Sequence, residues 1–514
     1  MKTNFKHDIK SSIVLFLVAL PLCLGIALAS NAPIISGVIA GIVGGIIVGA
    51  ISGSHTSVSG PAAGLTIIVL NGITSLNNFE AFLLVVILAG IFQIILAKIN
   101  AGVIGDFIPG AVISGMLVSI GLLLMLKQIP HALGFDSDYE GDEEFLQVDG
   151  KNTFTEIYYA ILDFNTGAII IAVISILILL AWQHKRLQKI KLFNLIPAQL
   201  IVVLLGICIN LFFTNYFPNL ALSGYHLSEV PIIDSNTINN WPFPDFSAIS
   251  NPTVWKLSIT IALVASIETL LSIQAGDKID PYNRTTPANK ELLAQGTGNI
   301  ISGFLGGLPI TAVIVRTSAN VNSGARSKWS AIYHGVFLIL SVFFLTSFIN
   351  IIPKAALAAI LLHVGYKLAK PSIFIQEFKR KKNRFIPFLI TILAILFTDL
   401  LIGVVIGVIS GILFILLSNY RTSIMLYKDH NNYLLRFHKD ASFFNKKLLK
   451  QLLADVPDNS KLLIDSTKAD FIDSDIIETI DDFIKAAKNK NINITIKTST
   501  TKPKSIFKID HGNN

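Results

Sequence analysis

Glu268 is the residue in this chain that is hardest to explain without chemistry. It lies inside the apolar run Val254–Ile273, VWKLSITIALVASIETLLSI, with apolar residues on both sides. A run of roughly 20 apolar residues is what a bilayer-spanning helix needs. An ionisable group at that depth is costly, and its usual work is to face a cavity and handle an ion or a proton. The bland alternative is a protonated carboxyl bonded to a neighbouring helix. Arg316 is the second unusual charge, seven residues past Pro309 and so about two helical turns on. It can hold an anion, pair with Glu268, or snorkel from a short helix to the cytoplasmic surface, since polar Thr317, Ser318 and Asn320 follow at once.

Two Gly/Pro stretches point to where an anion would sit. SGPAAGLT (Ser59–Thr66) and GGLP (Gly306–Pro309) open segments at about 60–74 and 308–319 that are too short to span. A helix that starts at mid-membrane turns its free N–H groups and its positive dipole end into the interior. Two such ends facing each other make an anion site with few charged side chains. The candidate anion-binding residues are therefore Ala62, Ala63, Gly64 and Thr66 in the first stretch, and Thr311, Ala312, Val313 and Arg316 in the second. Gly60 and Gly64 let backbone approach a ligand, Pro61 and Pro309 suit first helical turns, and Pro21, Leu22 and Ile26 offer an apolar lining suited to a small anion. Ordinary Gly/Pro helix packing is the alternative.

The elements that must position these groups follow from composition. Hydrophobic residues make up 52% of the 514 and charged residues 14%, well short of the quarter usual in soluble domains. The chain reads as an α-helical polytopic membrane protein, because spanning backbone must satisfy its own hydrogen bonds. Full-length segments are expected at about 12–30, 33–51, 79–97, 103–126, 165–182, 196–214, 254–273, 291–306, 330–350, 354–370, 384–400 and 401–419. With the two short ones they make fourteen. The first, from near Ser12, reads as a retained helix. Fourteen divide into two sevens, 12–214 and 254–419, with the short segments third and tenth in matching places. That is the sequence pointer to an inverted repeat with a midplane site.

Lysine and arginine set orientation. Lys2, Lys6 and Lys10, then Lys185, Arg186, Lys189 and Lys191, then Lys379, Arg380, Lys381, Lys382 and Arg384 all fall on one side, which the positive-inside rule makes the cytoplasm. This places both termini inside, in a plasma (inner) membrane protein. The acidic run Asp136, Asp138, Glu140, Asp142, Glu143, Glu144 and Asp149 falls outside and reads as a solvated face. The net charge of +8 belongs to these flanks and implies no nucleic-acid partner.

From about Tyr433 the chain turns charged and soluble in character. LLRFHKD, KLLID (Lys461–Asp465) and Ile492–Lys497 read as strands, Phe443–Leu453 and Ile472–Lys485 as helices. The expectation is a small cytoplasmic α/β domain over 433–514, after a membrane domain at 1–420 and a linker at 421–432. Cys23 and Cys208 make neither a disulfide framework nor a zinc spacing, and the ten His are scattered. No nucleophile–base pair, metal set or phosphate loop is legible, so no catalysis and no cofactor are expected.

The order VALPLCLGIALAS (Val18–Ser30), HTSVSGPAAGLT (His55–Thr66), SIETLLS (Ser266–Ser272) and ELLAQGTGNIISGFLGGLPITAVIVRTSANVNSGAR (Glu291–Arg326) resembles the sulfate permease (SulP) family of anion transporters. The C-terminal piece is similar to its STAS domain. The resemblance spans essentially the whole chain. It implies seven-plus-seven inverted repeats, a core domain moving against a gate domain, a homodimer in the lipid bilayer, and transport of bicarbonate, sulfate or related anions. Among cyanobacterial sodium-dependent bicarbonate carriers, which this chain resembles most, sodium-binding positions match Glu268, Ser272, Ala312, Val313 and Ile314. Here Glu replaces Asp and Ile314 replaces a threonine ligand, so a lone Glu suits H⁺, with Na⁺ at Glu268 and Ser272 the other coupling ion. In animal members an arginine matching Arg316 lies by the anion; its serine partner is Val315 here. IDSTKADFIDSDII (Ile464–Ile477) is similar to anti-sigma-factor antagonists, with Ser474 at the phosphorylatable position, though a structural dimerisation role is the reading preferred for this domain.

The expected function is a secondary anion transporter working by alternating access. Two other readings compete. A nucleobase permease of similar fold would place a carboxylate on both the eighth and tenth segments, and the tenth here carries Arg316. A membrane-anchored regulator with the C-terminal domain as output would not need the paired half-helices.

Overall fold

The computed structural model describes residues 2–136, 145, 152–184, 196–228, 241–380, 382–420 and 423–498. Asp138 to Glu144, Asp149, the Lys185–Lys191 cluster and Lys381 lie outside the described residues. Two compact units are present, Met1–Val408 and Ile409–Asn514.

The first unit opens with α1 (Lys2–Ala29) and α2 (Ile34–Val43, drawn on to Ile51 through a π turn at Gly44–Val48). Strand β1 (Ser59–Pro61) then leads through a 3₁₀ turn at Ala63–Leu65 into α3 (Thr66–Leu76). Helices α4 (Phe79–Lys98), α5 (Gly110–Leu133), α6 (Thr153–Leu162), α7 (Thr166–Trp182) and α8 (Ala198–Tyr216) complete the first half. The second half runs α9 (Pro252–Ile279), α10 (Ala288–Phe304), β2 (Ile310–Ala312), α11 (Ile314–Asn322), α12 (Trp329–Phe344), α13 (Lys354–Leu368), α14 (Pro371–Lys379), α15 (Lys382–Phe397) and α16 (Leu400–Tyr420). Asparagine caps several of these starts: the side chains of Asn78, Asn152, Asn165 and Asn251 accept the first free N–H groups of α4, α6, α7 and α9.

Each of the fourteen expected segments coincides with a helix. Among the described residues seven are long and apolar enough to span, or eight if α6 and α7, bent by 114°, count as one. The others are shorter, as α12 and α15, more polar, as α10, or half-length, as α3 and α11; α16 runs 21 residues, of which only Leu400–Leu416 enter that test. The 11 residues of α3 and 9 of α11 reach only about 16 and 14 Å. One boundary moves appreciably: the fifth segment begins at Gly110, not 103, because Ala101–Phe107 forms a separate 3₁₀ stretch ahead of Pro109. Asp136 is more than a solvated acid, since its two carboxylate oxygens each lie 2.7 Å from a histidine Nδ1, that of His131 and that of His226.

The tightest helix pair near the site is α4 against α10. A Cβ on Gly90 would lie 2.5 Å from the carbonyl oxygen of Gly296, and one on Gly296 2.6 Å from that of Gly90. Small residues thus let the two backbones touch, the usual basis of helix packing in lipid. This contact seats the polar side of α10 against the two short strands.

The C-terminal unit is a four-stranded sheet in the order β3 (Ile424–Asp429), β4 (Asn432–Phe437), β5 (Lys461–Asp465), β6 (Asn493–Lys497). β4, β5 and β6 are parallel, and β3 pairs antiparallel with β4. Helices α17 (Lys446–Ala454) and α18 (Ser474–Ala487) supply Leu449, Leu453, Ile476 and Ile480, which share a core with Tyr433, Leu435, Phe437, Leu462 and Ile464 of the sheet. The alternation of buried and exposed positions in β4 is that of a strand with one covered face. Most of the expected linker at 421–432 is strand β3 and the turn to β4. Its IMLYKD sequence is too mixed to read as a strand, because an edge strand with one loosely covered face need not alternate cleanly.

Asp465, at the end of β5, accepts from Arg436 Nε at 2.9 Å and from the Thr467 hydroxyl at 2.7 Å. Burial raises its pKa, but the bonds from Thr467 and Arg436 outweigh it and hold the carboxyl below the ordinary value. Its stabilisation is therefore present above the unfolded carboxyl's pKa and is lost as pH falls through the folded one. Asp465→Asn is expected to destabilise this unit by about 2 kcal/mol near neutrality. The difference should vanish in acid-unfolding curves at the low-pH end.

Candidate functional site

The site is built on a crossing of two short strands. Ser59 pairs with Ala312, Gly60 with Thr311 and Pro61 with Ile310, antiparallel. Each strand feeds a half-helix, β1 into α3 and β2 into α11, so two helix N-termini are brought together from opposite halves of the chain. Pro61 lies within β1 and Pro309 just before β2, so neither occupies a first helical turn. A three-residue strand and one further extended residue, Ala62 or Val313, precede each helical start.

Helix α10 explains why the strands stay put. Glu291, Gln295, Asn299 and Ser302 form a stripe at helical spacing on its buried side. Gln295 Nε2 donates to Ser59 Oγ at 2.6 Å and to Glu291 Oε1 at 3.1 Å, while the Ser52 hydroxyl donates to Glu291 Oε2. Asn299 Oδ1 accepts the Ile310 N–H at 2.6 Å, and its Nδ2 donates to the Ile310 carbonyl at 3.0 Å and to Gln93 Oε1 at 2.7 Å. The Ser302 hydroxyl takes the Leu308 carbonyl at 2.7 Å. The ladder replaces the sheet partners that two isolated strands lack. Asn299→Ala would strand buried backbone groups of Ile310. It is expected to cost about 2–4 kcal/mol, read as a lowered unfolding midpoint in detergent.

Further bonds lock the second half-helix. The Ala312 N–H donates to Thr269 Oγ1 at 3.2 Å, next to Glu268 on α9. The Val58 N–H donates to Thr317 Oγ1 at 3.1 Å and Asn320 Nδ2 to the Thr56 carbonyl at 2.9 Å. The far end of α9 is tied to α5, where Lys278 Nζ donates to the Gly110 carbonyl at 2.9 Å and to the Ser114 hydroxyl.

A narrow cleft opens on this crossing. It is lined by Leu22 and Ile26 of α1, Pro61 and Ala63, Ile120 of α5, Glu268 and Ser272 of α9, Val313 to Arg316, and Leu400 of α16. Leu22 follows Pro21, whose missing N–H opens the α1 ladder at this depth. Of the sequence-predicted residues, Leu22, Ala63, Glu268, Ser272, Val313, Ile314 and Arg316 meet in this one cleft. Ala62, Gly64, Thr66, Thr311 and Ala312 do not line it. Gly64 backs onto Glu268, its absent Cβ lying 3.4 Å from Oε2. Ala62 is the extended residue before the 3₁₀ turn, and Thr66 is buried in the first turn of α3. Thr311 and Ala312 serve β2. Ile120 and Leu400 went unanticipated: each is one apolar residue among many in its helix, and only folding brings it here. Thr269, beside Glu268, was legible as a hydroxyl but not as the acceptor for β2.

Arg316 is fully buried, which overturns the snorkelling alternative. Its Nη2 donates to the Pro61 carbonyl at 3.3 Å and the Cys23 thiol lies beside it, while Nε and Nη1 have no oxygen acceptor among the described residues. Gly60 makes room for it: a Cβ there would sit 1.9 Å from Nη1. A buried guanidinium short of acceptors is a high-energy arrangement until acceptors arrive. The first N–H groups of α11 add to it, having no partner within their own helix. The cleft is thus electropositive on the half-helix side, with one carboxylate, Glu268, 8% exposed, opposite in sequence and shared in space.

For a sodium ion the side-chain oxygens lining the cleft, among the described residues, are those of Glu268 and Ser272, and Ile314 brings only hydrocarbon. Among the described residues no cluster of three or more His, Cys, Asp or Glu could hold a metal.

Comparison with known proteins agrees with this architecture. The Bacillus subtilis protein YvdB, which carries a sulfate-transporter name, is 28% identical over 403 residues, covering 78% of this chain and 72% of its own. The bicarbonate transporter BicA of Picosynechococcus is 25% identical over 371 residues, 70% of this chain and 61% of BicA, so the match spans less than two thirds of that relative. In structure, the transmembrane domain of a cyanobacterial BicA superposes with a TM-score of 0.54 at 22% identity, covering 80% of this chain and 97% of that one. The murine Slc26a9 anion transporter in the inward-facing state gives 0.66 at 16% identity, covering 96% and 86%. These likenesses show a shared fold. The model of the sulfate permease family matches residues 5–394. With more than half the chain matched, this multi-pass membrane protein belongs to the sulfate permease family.

Proposed function

We propose that the protein is a secondary active transporter of small inorganic anions, bicarbonate or sulfate, that works by alternating access with Glu268 as the coupling group. Membership of the sulfate permease family supports anion transport. The observation that carries the reading is one cleft shared by Glu268, by a buried Arg316 with two nitrogens that have no oxygen acceptor among the described residues, and by the N-terminus of α11. Arg316 and the helix end hold the anion through charge and N–H groups. Glu268, protonated, stops competing for that positive field. Anion and proton affinity then rise together by one factor. H⁺ is the coupling ion favoured by the two-oxygen side-chain set, since a hard cation such as Na⁺ wants a fuller oxygen shell.

The C-terminal unit is a STAS-like domain in this reading, by its α/β order, and serves a structural, homodimerising role. Ser474 begins α18 in an exposed position. The termini face the cytoplasm of the plasma membrane by the positive-inside rule. A nucleobase carrier is disfavoured because α11 presents Arg316 where that chemistry needs an acid.

The test is uptake of radiolabelled bicarbonate and sulfate into proteoliposomes under imposed H⁺ or Na⁺ gradients. An inward proton gradient should drive accumulation of one of the two anions. Sodium-driven uptake with no response to protons would reassign the coupling ion, and uptake of neither anion under any gradient would overturn the reading.

A further inference from the structure

The C-terminal unit carries three exposed aromatic rings at one end of its sheet. Phe443, Phe444 and Phe471 are 53%, 49% and 57% exposed, and the rings of Phe443 and Phe444 lie 4.0 Å apart. Phe471 is held beside them through its backbone: the Ala441 N–H donates to the Phe471 carbonyl at 3.1 Å, and Asp440 accepts the Phe471 N–H at 2.9 Å. Clustered exposed phenylalanines on a soluble domain mark a surface that meets something apolar.

The path of the chain identifies what that is. The apolar run of α16 ends at Leu417, and Ser418, Asn419, Tyr420 and Arg421 have the character of a membrane–water boundary. Only three residues, 421–423, separate α16 from β3. They reach about 10 Å, so the start of β3 stays near the bilayer surface. Ile424 pairs with Phe437, and the Ser423 hydroxyl accepts from Asn445 Nδ2 at 2.7 Å. The tether therefore joins the sheet at the same end as the loops bearing Phe443, Phe444 and Phe471. The opposite end, with Lys490 and Asn459, lies a strand length away, about 16 Å.

We propose that this aromatic patch is a membrane-docking surface, its three phenylalanines seated at the boundary between headgroups and acyl chains. Lys439 and Lys468 beside it are matched in number by Asp440 and Asp470, so the association rests on ring insertion and not on anionic lipid. It holds the domain close under the bilayer.

The test uses the full chain with Cys208→Ser and a single new cysteine, either Lys468→Cys at the patch or Lys490→Cys at the far end; Cys23 is buried. Each is labelled with nitrobenzoxadiazole and reconstituted into phosphatidylcholine vesicles with shallow doxyl-labelled lipid. Quenching at position 468 is expected to exceed that at 490 at least twofold. Adding F443S, F444S and F471S together should bring it down to the value at 490. All three rings are exposed, so the triple variant should keep its fold, checked by its elution and unfolding midpoint. Equal quenching at the two positions, or quenching at 468 that survives the triple change, would overturn the proposal. So would shielding at 468 from both lipid quencher and aqueous iodide, which would mean that protein covers the patch.

Discussion

Glu268→Gln is expected to abolish accumulation driven by a proton gradient, to the level of protein-free vesicles, with the folded protein yield unchanged. Glutamine keeps the volume and hydrogen-bonding reach of the side chain but neither releases a proton nor balances a cation. The residue faces the same cleft as Arg316, so its charge state decides how much positive potential is left for an anion. A permanently neutral side chain mimics the protonated carrier. Anion exchange down an anion gradient should therefore survive in Glu268→Gln, while accumulation against one should not. Normal pH-dependent uptake in the variant would exclude Glu268 as the coupling group. Loss of exchange and accumulation together, in a well-folded variant, would instead assign it to the anion site itself.

Arg316→Gln and Gly60→Ala are expected to fail alike, although they alter different halves of the chain. The first removes the cleft's cation and should weaken anion binding on the order of 100-fold, about 3 kcal/mol. The second leaves the arginine in place but puts a Cβ 1.9 Å from its Nη1. Backbone paired in β1 cannot yield, so the guanidinium must move out of its position by Pro61. Equilibrium binding of radiolabelled anion to purified protein should show the loss in both variants. Arg316→Lys should recover part of it, because a point charge returns without the planar set of donors. Wild-type affinity in Gly60→Ala would mean that the guanidinium need not sit where it does.

Much of this was legible because lipid makes sequence unusually informative. Length and apolarity specify the spanning helices, since no other backbone arrangement satisfies itself there. A lone Glu268 announces itself for the same reason. The paired Gly/Pro breaks at Ser59–Thr66 and Gly306–Pro309 placed the two half-helices, because so few backbones end in mid-membrane. Glu291, Gln295, Asn299 and Ser302 lay inside the stretch that carries the family resemblance, but neither their common helix face nor their partners was read from it. That these side chains stand in for a sheet around β1 and β2 depends on a pairing more than 200 residues apart in sequence, and hydrogen bonds of that range leave no local periodicity.

The tertiary structure alone decided the fate of Arg316. A short polar helix reads equally well as a route to the surface or as the wall of a pocket. The choice was made by the crossing of β1 and β2, which buries the arginine against Gly60 and Pro61. It likewise recruited Ile120 and Leu400, whose apolar neighbours are chemically indistinguishable from them, and turned the expected linker into β3 by giving it β4 to pair with. Sequence by itself determined which groups are costly in lipid and where helices must break. Which of those groups share one cavity was settled by packing, because contact between distant segments depends on shape and not on residue type.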